Sequence, residues 1–95
     1  MASPTDLQFF EVSDKKIVLT WSSPPGSVSG YRVTVVAVDE PGSPQRELHP
    51  TVTQNSYFEV TQLEPGTLYR FNVYTIDNGE ESLPLIGEQT TREYN

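Results

Sequence analysis

Eight prolines and six glycines are spread along these 95 residues, and no window of helical length holds an apolar stripe at i, i+3, i+4, i+7 without one of them. Proline removes a backbone donor and collides with the preceding helical turn, so helix is excluded as the main element. What remains is a series of short runs in which apolar and polar residues alternate, each closed by turn formers. Period-two alternation sends every second side chain to one face of a strand. Ile17, Leu19 and Trp21 alternate with Val18 and Thr20, and Tyr31, Val33 and Val35 with Arg32, Thr34 and Val36. Phe58 and Val60 alternate with Tyr57 and Glu59, with Leu63 turned inward just after, and Tyr69, Phe71 and Val73 alternate with Arg70, Asn72 and Tyr74.

The connections are equally readable. Leu7 and Phe9 open a first strand that Val12 is expected to continue after an irregularity. The run from Ser22 to Gly30 is dense in turn formers and reads as a loop, as does Asp39-Glu40-Pro41-Gly42-Ser43-Pro44. Arg46 to His49 is expected to form a short strand that Pro50 interrupts. The strongest strand, Tyr69 to Ile76, ends at Asp77-Asn78-Gly79-Glu80, whose Asn-Gly pair suits the positive φ angles of a type I′ hairpin. Leu83 to Thr91 returns as the last strand, with Pro84 implying an edge position or an irregular entry. About seven strands at the 8 to 12 residue spacing of a small sandwich predict an all-β fold of two antiparallel sheets.

Length allows one core, and an apolar fraction of 35% with 11% aromatic residues can supply it. The expected organisation is one domain over residues 4–91, with 1–3 as expression-derived or linker residues and 92–95 as a linker or the start of a next module. The chain has no cysteine, so packing and backbone pairing must stabilise it without disulfides. Thirteen acidic against six basic side chains give a net charge of −7, the wrong sign for a nucleic acid backbone. No run approaches the ~20 apolar residues of a membrane span.

Trp21, Gly30-Tyr31 and Leu63-Glu64-Pro65-Gly66-Thr67-Leu68-Tyr69 form a set. At these spacings, and without cysteine, the set resembles a fibronectin type III module, an immunoglobulin-like sandwich. Asp6-Leu7-Gln8-Phe9, Glu81-Ser82-Leu83-Pro84 and Gln89-Thr90-Thr91 are further similar to modules of fibronectin and tenascins. The resemblance implies a structural core and turn set of Trp21, Tyr31, Leu63, Pro65, Gly66, Tyr69, Phe71 and Val73. It also implies a tyrosine corner, in which the Tyr69 hydroxyl bonds to backbone just upstream.

No constellation for catalysis is found, and a non-enzyme without cofactor or metal is expected. His49 is the sole imidazole and stands beside Pro50 with no thiol in the chain. Gly26-Ser27-Val28-Ser29-Gly30 has valine where a nucleophile elbow needs serine. Asp77, Glu80 and Glu81 lack the alternation of a calcium loop, and adjacent Glu80 and Glu81 project to opposite sides of an extended chain.

Binding or spacing remains. The resemblance implies an extracellular module in a matrix or cell-surface chain, flanked by adjacent modules and monomeric when isolated. Its chain ends should leave at opposite ends of the sandwich. The candidate partner-binding loop is Asp77 to Ser82, carried by Asp77, Asn78, Gly79, Glu80 and Glu81, with an integrin or a matrix protein as partner. It lacks Arg-Gly-Asp, while Ile76-Asp77 precedes Gly79 by one inserted residue, a variant of the Ile-Asp-Gly motif of some tenascin modules. A second candidate is a protein contact through a sheet face carrying Arg32, Thr34, Val36, Arg70, Asn72 and Tyr74. Scattered cations predict no retention on a polyanion. No Asn-x-Ser/Thr sequon is present, and Asn78-Gly79 is a deamidation spot.

Overall fold

The computed structural model describes residues 2–38 and 47–94. The expected loop from Asp39 to Pro44, together with Arg46, lies outside them. Eight β segments follow in chain order: β1 (Thr5–Phe10), β2 (Ile17–Ser22), β3 (Gly30–Ala37), β4 (Glu47–Thr53), β5 (Tyr57–Val60), β6 (Leu68–Asp77), β7 (Glu80–Glu81) and β8 (Leu85–Thr90). One sheet has the order β1-β2-β5, and the other runs β4-β3-β6 with β7 and β8 on the far side of β6. All pairings are antiparallel.

The eight segments amount to seven strands, because β7 and β8 are two pieces of one line along β6. Ile76 pairs with Glu81 and Val73 with Leu85, so Tyr74 and Thr75 face three residues, Ser82, Leu83 and Pro84. The extra residue makes a bulge, which a proline without a donor tolerates. Ser82 holds it: its N–H donates to the Thr75 carbonyl at 2.9 Å. Its Oγ accepts the Thr75 N–H at 2.9 Å and donates to the Leu83 carbonyl at 2.8 Å.

Two sequence expectations are corrected. Pro50 does not interrupt its strand, since β4 runs through it to Thr53. Val33 pairs with Thr51 and Val35 with Leu48, so His49 and Pro50 together face Thr34. A bulge on an edge strand is where a missing N–H costs least. Val12 does not continue the first strand either. β1 shifts register between Thr5 and Gln8, with Asp6 at φ 57°, and leaves the sheet at Glu11, with φ 45°. Val12 then turns back onto the core as a partly buried residue.

The core lies between the sheets. Ile17, Leu19 and Trp21 from β2 meet Tyr31, Val33 and Val35 from β3 and Tyr69, Phe71 and Val73 from β6, all buried. The Trp21 and Tyr31 rings meet edge to face, with centroids 5.3 Å apart at 71°, and the Phe9 and Phe71 rings lie 5.2 Å apart. Such contacts add to the area term. Tyr69 forms the expected corner, its hydroxyl accepting the Glu64 N–H at 2.8 Å. Pro65 and Gly66 serve the turn rather than the core: Gly66 is exposed with φ +58°, a conformation that favours glycine.

The two ends of the sandwich differ. Thr5 pairs with Ser22, at the end where β6 meets β7, while Thr90 pairs with Leu68 at the other end. At that second end Thr91 Oγ1 donates to the Glu64 carbonyl at 2.6 Å and accepts the Thr67 N–H at 2.9 Å. Arg92, which the sequence sets in the linker, donates from its backbone to the Ser13 carbonyl at 2.9 Å and from Nε to the Val12 carbonyl at 2.8 Å.

Gly87 of β8 lies close under the side chains of β1 at the margin where the two sheets meet. A Cβ there would stand 2.5 Å from Leu7 Cδ2 and 3.3 Å from Phe9 Cζ. Gly87→Ala is therefore expected to lower unfolding stability by about 1–3 kcal/mol. Tyr69→Phe, which strips the Glu64 N–H of its partner, should cost about 1–3 kcal/mol as well. Urea unfolding followed by tryptophan fluorescence measures both, and unchanged midpoints would contradict the assigned contacts.

Candidate functional site: the hairpin end and the outer face of the larger sheet

The Asn78-Gly79 pair does what its chemistry allows. Both residues take positive φ, 53° and 80°, and Asp77 pairs directly with Glu80, which defines a two-residue type I′ turn. The connection is thus shorter than the six-residue loop expected from Asp77 to Ser82. Asp77 and Glu80 stand side by side at its base, and Glu80, Asn78 and Gly79 are exposed.

The loop between β2 and β3 braces this turn. Ser29 Oγ donates to Asp77 Oδ1 at 3.0 Å, and the Ser29 N–H donates to the Ile76 carbonyl at 2.8 Å. One carboxylate oxygen of Asp77 is therefore engaged within the chain. Glu81 leaves on the opposite side from Glu80, as adjacent strand residues must. Its carboxylate takes the Arg32 guanidinium on two oxygens, at 2.5 Å from Nε and 3.1 Å from Nη2. The same guanidinium lies 4.2 Å from the centre of the Tyr74 ring. Hydrogen bonding to Arg32 holds the Glu81 carboxyl below the usual glutamate range, against a smaller desolvation effect that raises it.

Arg32, Thr34, Val36, Arg70, Asn72 and Tyr74 do share one face. They form three cross-strand pairs, Arg32 with Tyr74, Thr34 with Asn72, and Val36 with Arg70. Asn72 Nδ2 donates to Thr34 Oγ1 at 3.2 Å, and Arg70 bonds Glu88 across β8 at 3.0 Å. Sequence reasoning named Glu81 for the hairpin but not as the partner of Arg32, and missed Glu88, the partner of Arg70, as well as Val52 and Ile86, which flank the face and are well exposed. Glu88 sits opposite Arg70, and that opposition can be read only once the register between β6 and β8 is known.

Among the described residues no group of three or more His, Cys, Asp or Glu side chains is placed to hold a metal ion. No helix among them is long and apolar enough to cross a membrane. A shallow cleft of about 310 Å³, lined by Val12, Ser13, Asp14, Arg92 and Glu93, lies at the far end of the sandwich from the hairpin.

Known proteins share both the pattern and the fold. The family model of the fibronectin type III domain matches residues 2–88. A collagen alpha-1(XII) chain from Notophthalmus viridescens is 34% identical over 94% of this chain and 9% of its own length. Tenascin from Mus musculus is 26% identical over 96% of this chain and 4% of its own length. The chain thus spans less than a tenth of either relative. The crystal structure of an FN3 domain of human collagen XX superposes with a TM-score of 0.79 at 27% identity, covering 96% of this chain and 92% of that one.

The Arg32–Glu81 pair makes a pH prediction. A carboxyl whose folded pKa is depressed contributes stability above the ordinary glutamate value and loses it as pH falls through the folded value. With both side chains about one-third exposed, at 31% and 37%, the effect on stability is small and the readout is the titration itself. The Glu81 side-chain carbonyl resonance should titrate below the usual glutamate range in the native protein and return to it in Arg32→Gln. Identical midpoints in the two proteins would show that Arg32 does not hold Glu81.

Proposed function

This chain belongs to the fibronectin type III family, and from that membership we propose that it is a non-catalytic spacer and interaction module of a larger extracellular chain. Its relatives are extracellular matrix proteins, collagen XII and tenascin. The observation that carries the spacer reading is the placement of the chain ends. The first strand enters beside the hairpin and the last leaves at the other end, along a body 43 Å in its longest dimension. Copies joined end to end would extend rather than fold back.

A second reading puts an integrin-type adhesion contact at the hairpin, carried by Asp77, Asn78, Gly79, Glu80 and Glu81. What favours it is the type I′ turn, which fixes Asp77 beside Glu80 at the base of the exposed Asn78-Gly79 tip. What weighs against it is the Ser29 bond already made by Asp77 and the Arg32 pair already made by Glu81. A metal-bound partner would have to displace Ser29 from Asp77 before using both oxygens.

A tandem of three copies separates the readings. Small-angle scattering should show the maximum dimension growing by most of 43 Å for each added copy, and cells bearing integrins should not attach to the wild-type module. Growth by less than half a module length would contradict the spacer reading. Attachment lost in Asp77→Ala and retained in Glu80→Ala would replace it with adhesion.

A further inference from the structure

The sandwich has a second outer face, on the smaller sheet, and its composition differs from the first. Alternation sends Val18 and Thr20 of β2 outward between Phe10 and Gln8 of β1 and Glu59 and Tyr57 of β5. Phe10 is 50% exposed and Tyr57 55% exposed. Val18 lies directly across from Phe10, and Tyr57 is diagonal to Val18 on the opposite strand, within reach of long side chains. Two half-exposed aromatic rings thus bracket an aliphatic side chain on a three-stranded surface. No sequence constraint of the core explains them, since both point away from it.

The charge around this patch is one-sided. Lys16 Nζ lies 3.3 Å from the carboxylates of both Glu11 and Glu59. Two acids on one lysine leave one negative charge at the rim, on a chain of net charge −7. On the larger sheet, by contrast, Arg32 and Arg70 are each matched by one glutamate. Aromatic faces attract cations by their quadrupole, so the rings and the rim ask for the same sign. A second copy brings the same acidic rim and excess negative charge, and is disfavoured by repulsion.

We propose that the outer face of the smaller sheet, centred on Phe10, Val18 and Tyr57, docks a cationic polypeptide segment that presents an apolar side chain between lysines or arginines. The apolar side chain covers Val18 between the two rings, and the flanking cations lie over the rings and against Glu11 and Glu59. This surface is independent of the hairpin, so its failure would leave the spacer and adhesion readings untouched.

The test is an amide NMR titration of the intact 95-residue chain with a Lys-Leu-Lys-Leu-Lys peptide. A Glu-Leu-Glu-Leu-Glu peptide and a Lys-Ser-Lys-Ser-Lys peptide serve as charge and apolar controls. Saturable shifts are expected at Phe10, Val18, Thr20 and Tyr57 with the first peptide alone, weakening as salt rises to about 150 mM. The exposed-site double variant Phe10→Ser/Tyr57→Ser should lose at least about tenfold in affinity. Val52→Ser/Ile86→Ser, on the other face, should bind unchanged. Retained amide dispersion in each variant shows that it is folded. Absence of saturable shifts would overturn the proposal, as would shifts on the larger sheet or equal binding of the acidic or serine peptide. Concentration-dependent shifts at Phe10 and Tyr57 without peptide would replace the cationic segment by a second copy.

Discussion

The ten residues of β6 fix everything else. From Tyr69 to Ile76 this strand pairs with β3 on one side, and on the other it pairs with β8 over Leu68 to Val73 and with β7 at Ile76 and Asp77. Tyr69, Phe71, Val73 and Thr75 point into the core, while Arg70, Asn72 and Tyr74 point out. Because side chains alternate strictly, a slip of one residue would put Phe71 in water and Arg70 between the sheets. Two local devices at its ends prevent that slip. At the start, the Tyr69 hydroxyl ties the strand to the turn it emerges from. At the end, Asn78 and Gly79 fold a two-residue turn that admits one register for the returning strand.

Once β6 is fixed, the surfaces follow as consequences. The larger sheet acquires an outer face on which opposite charges meet across neighbouring strands, so its arginines are engaged within the chain. The smaller sheet acquires an outer face with aromatic residues on both edge strands and an acidic rim. Lys16, Arg32 and Arg70 are all spent on the chain's own carboxylates, which leaves no cluster of open cations among them for a polyanion. The same chemistry that stabilises each strand pair therefore decides which partners a surface can accept.

Much of this fold is legible in the residues, and the gaps have physical causes. Alternation marks the inward residues of β2, β3 and β6, and Asn-Gly marks the hairpin, because both signals are local. Pro50 misleads because proline is read as a strand breaker, whereas an edge position and a bulge make it harmless. Val12 misleads because the departure of the chain at Glu11 rests on a positive φ at a residue type that rarely adopts it. Glu81 and Glu88 are invisible as partners of Arg32 and Arg70 until the register is known, since they lie 49 and 18 residues away. Phe10 and Tyr57 are on the page in the sequence, yet only the pairing of β1 and β5 with β2 brings them to one face.

Native-state amide hydrogen exchange tests the central position of β6 most directly. The amides of Phe71, Val73 and Thr75, and of their β3 partners Val35, Val33 and Tyr31, should exchange only through global unfolding, at the full free energy measured by denaturant. Those of β4 and β7, held by one neighbour and interrupted or short, should exchange through smaller openings. Exchange of the central β6 amides at a free energy below that of β1 would contradict the account, because the strand that fixes the register would then open before the strands it positions.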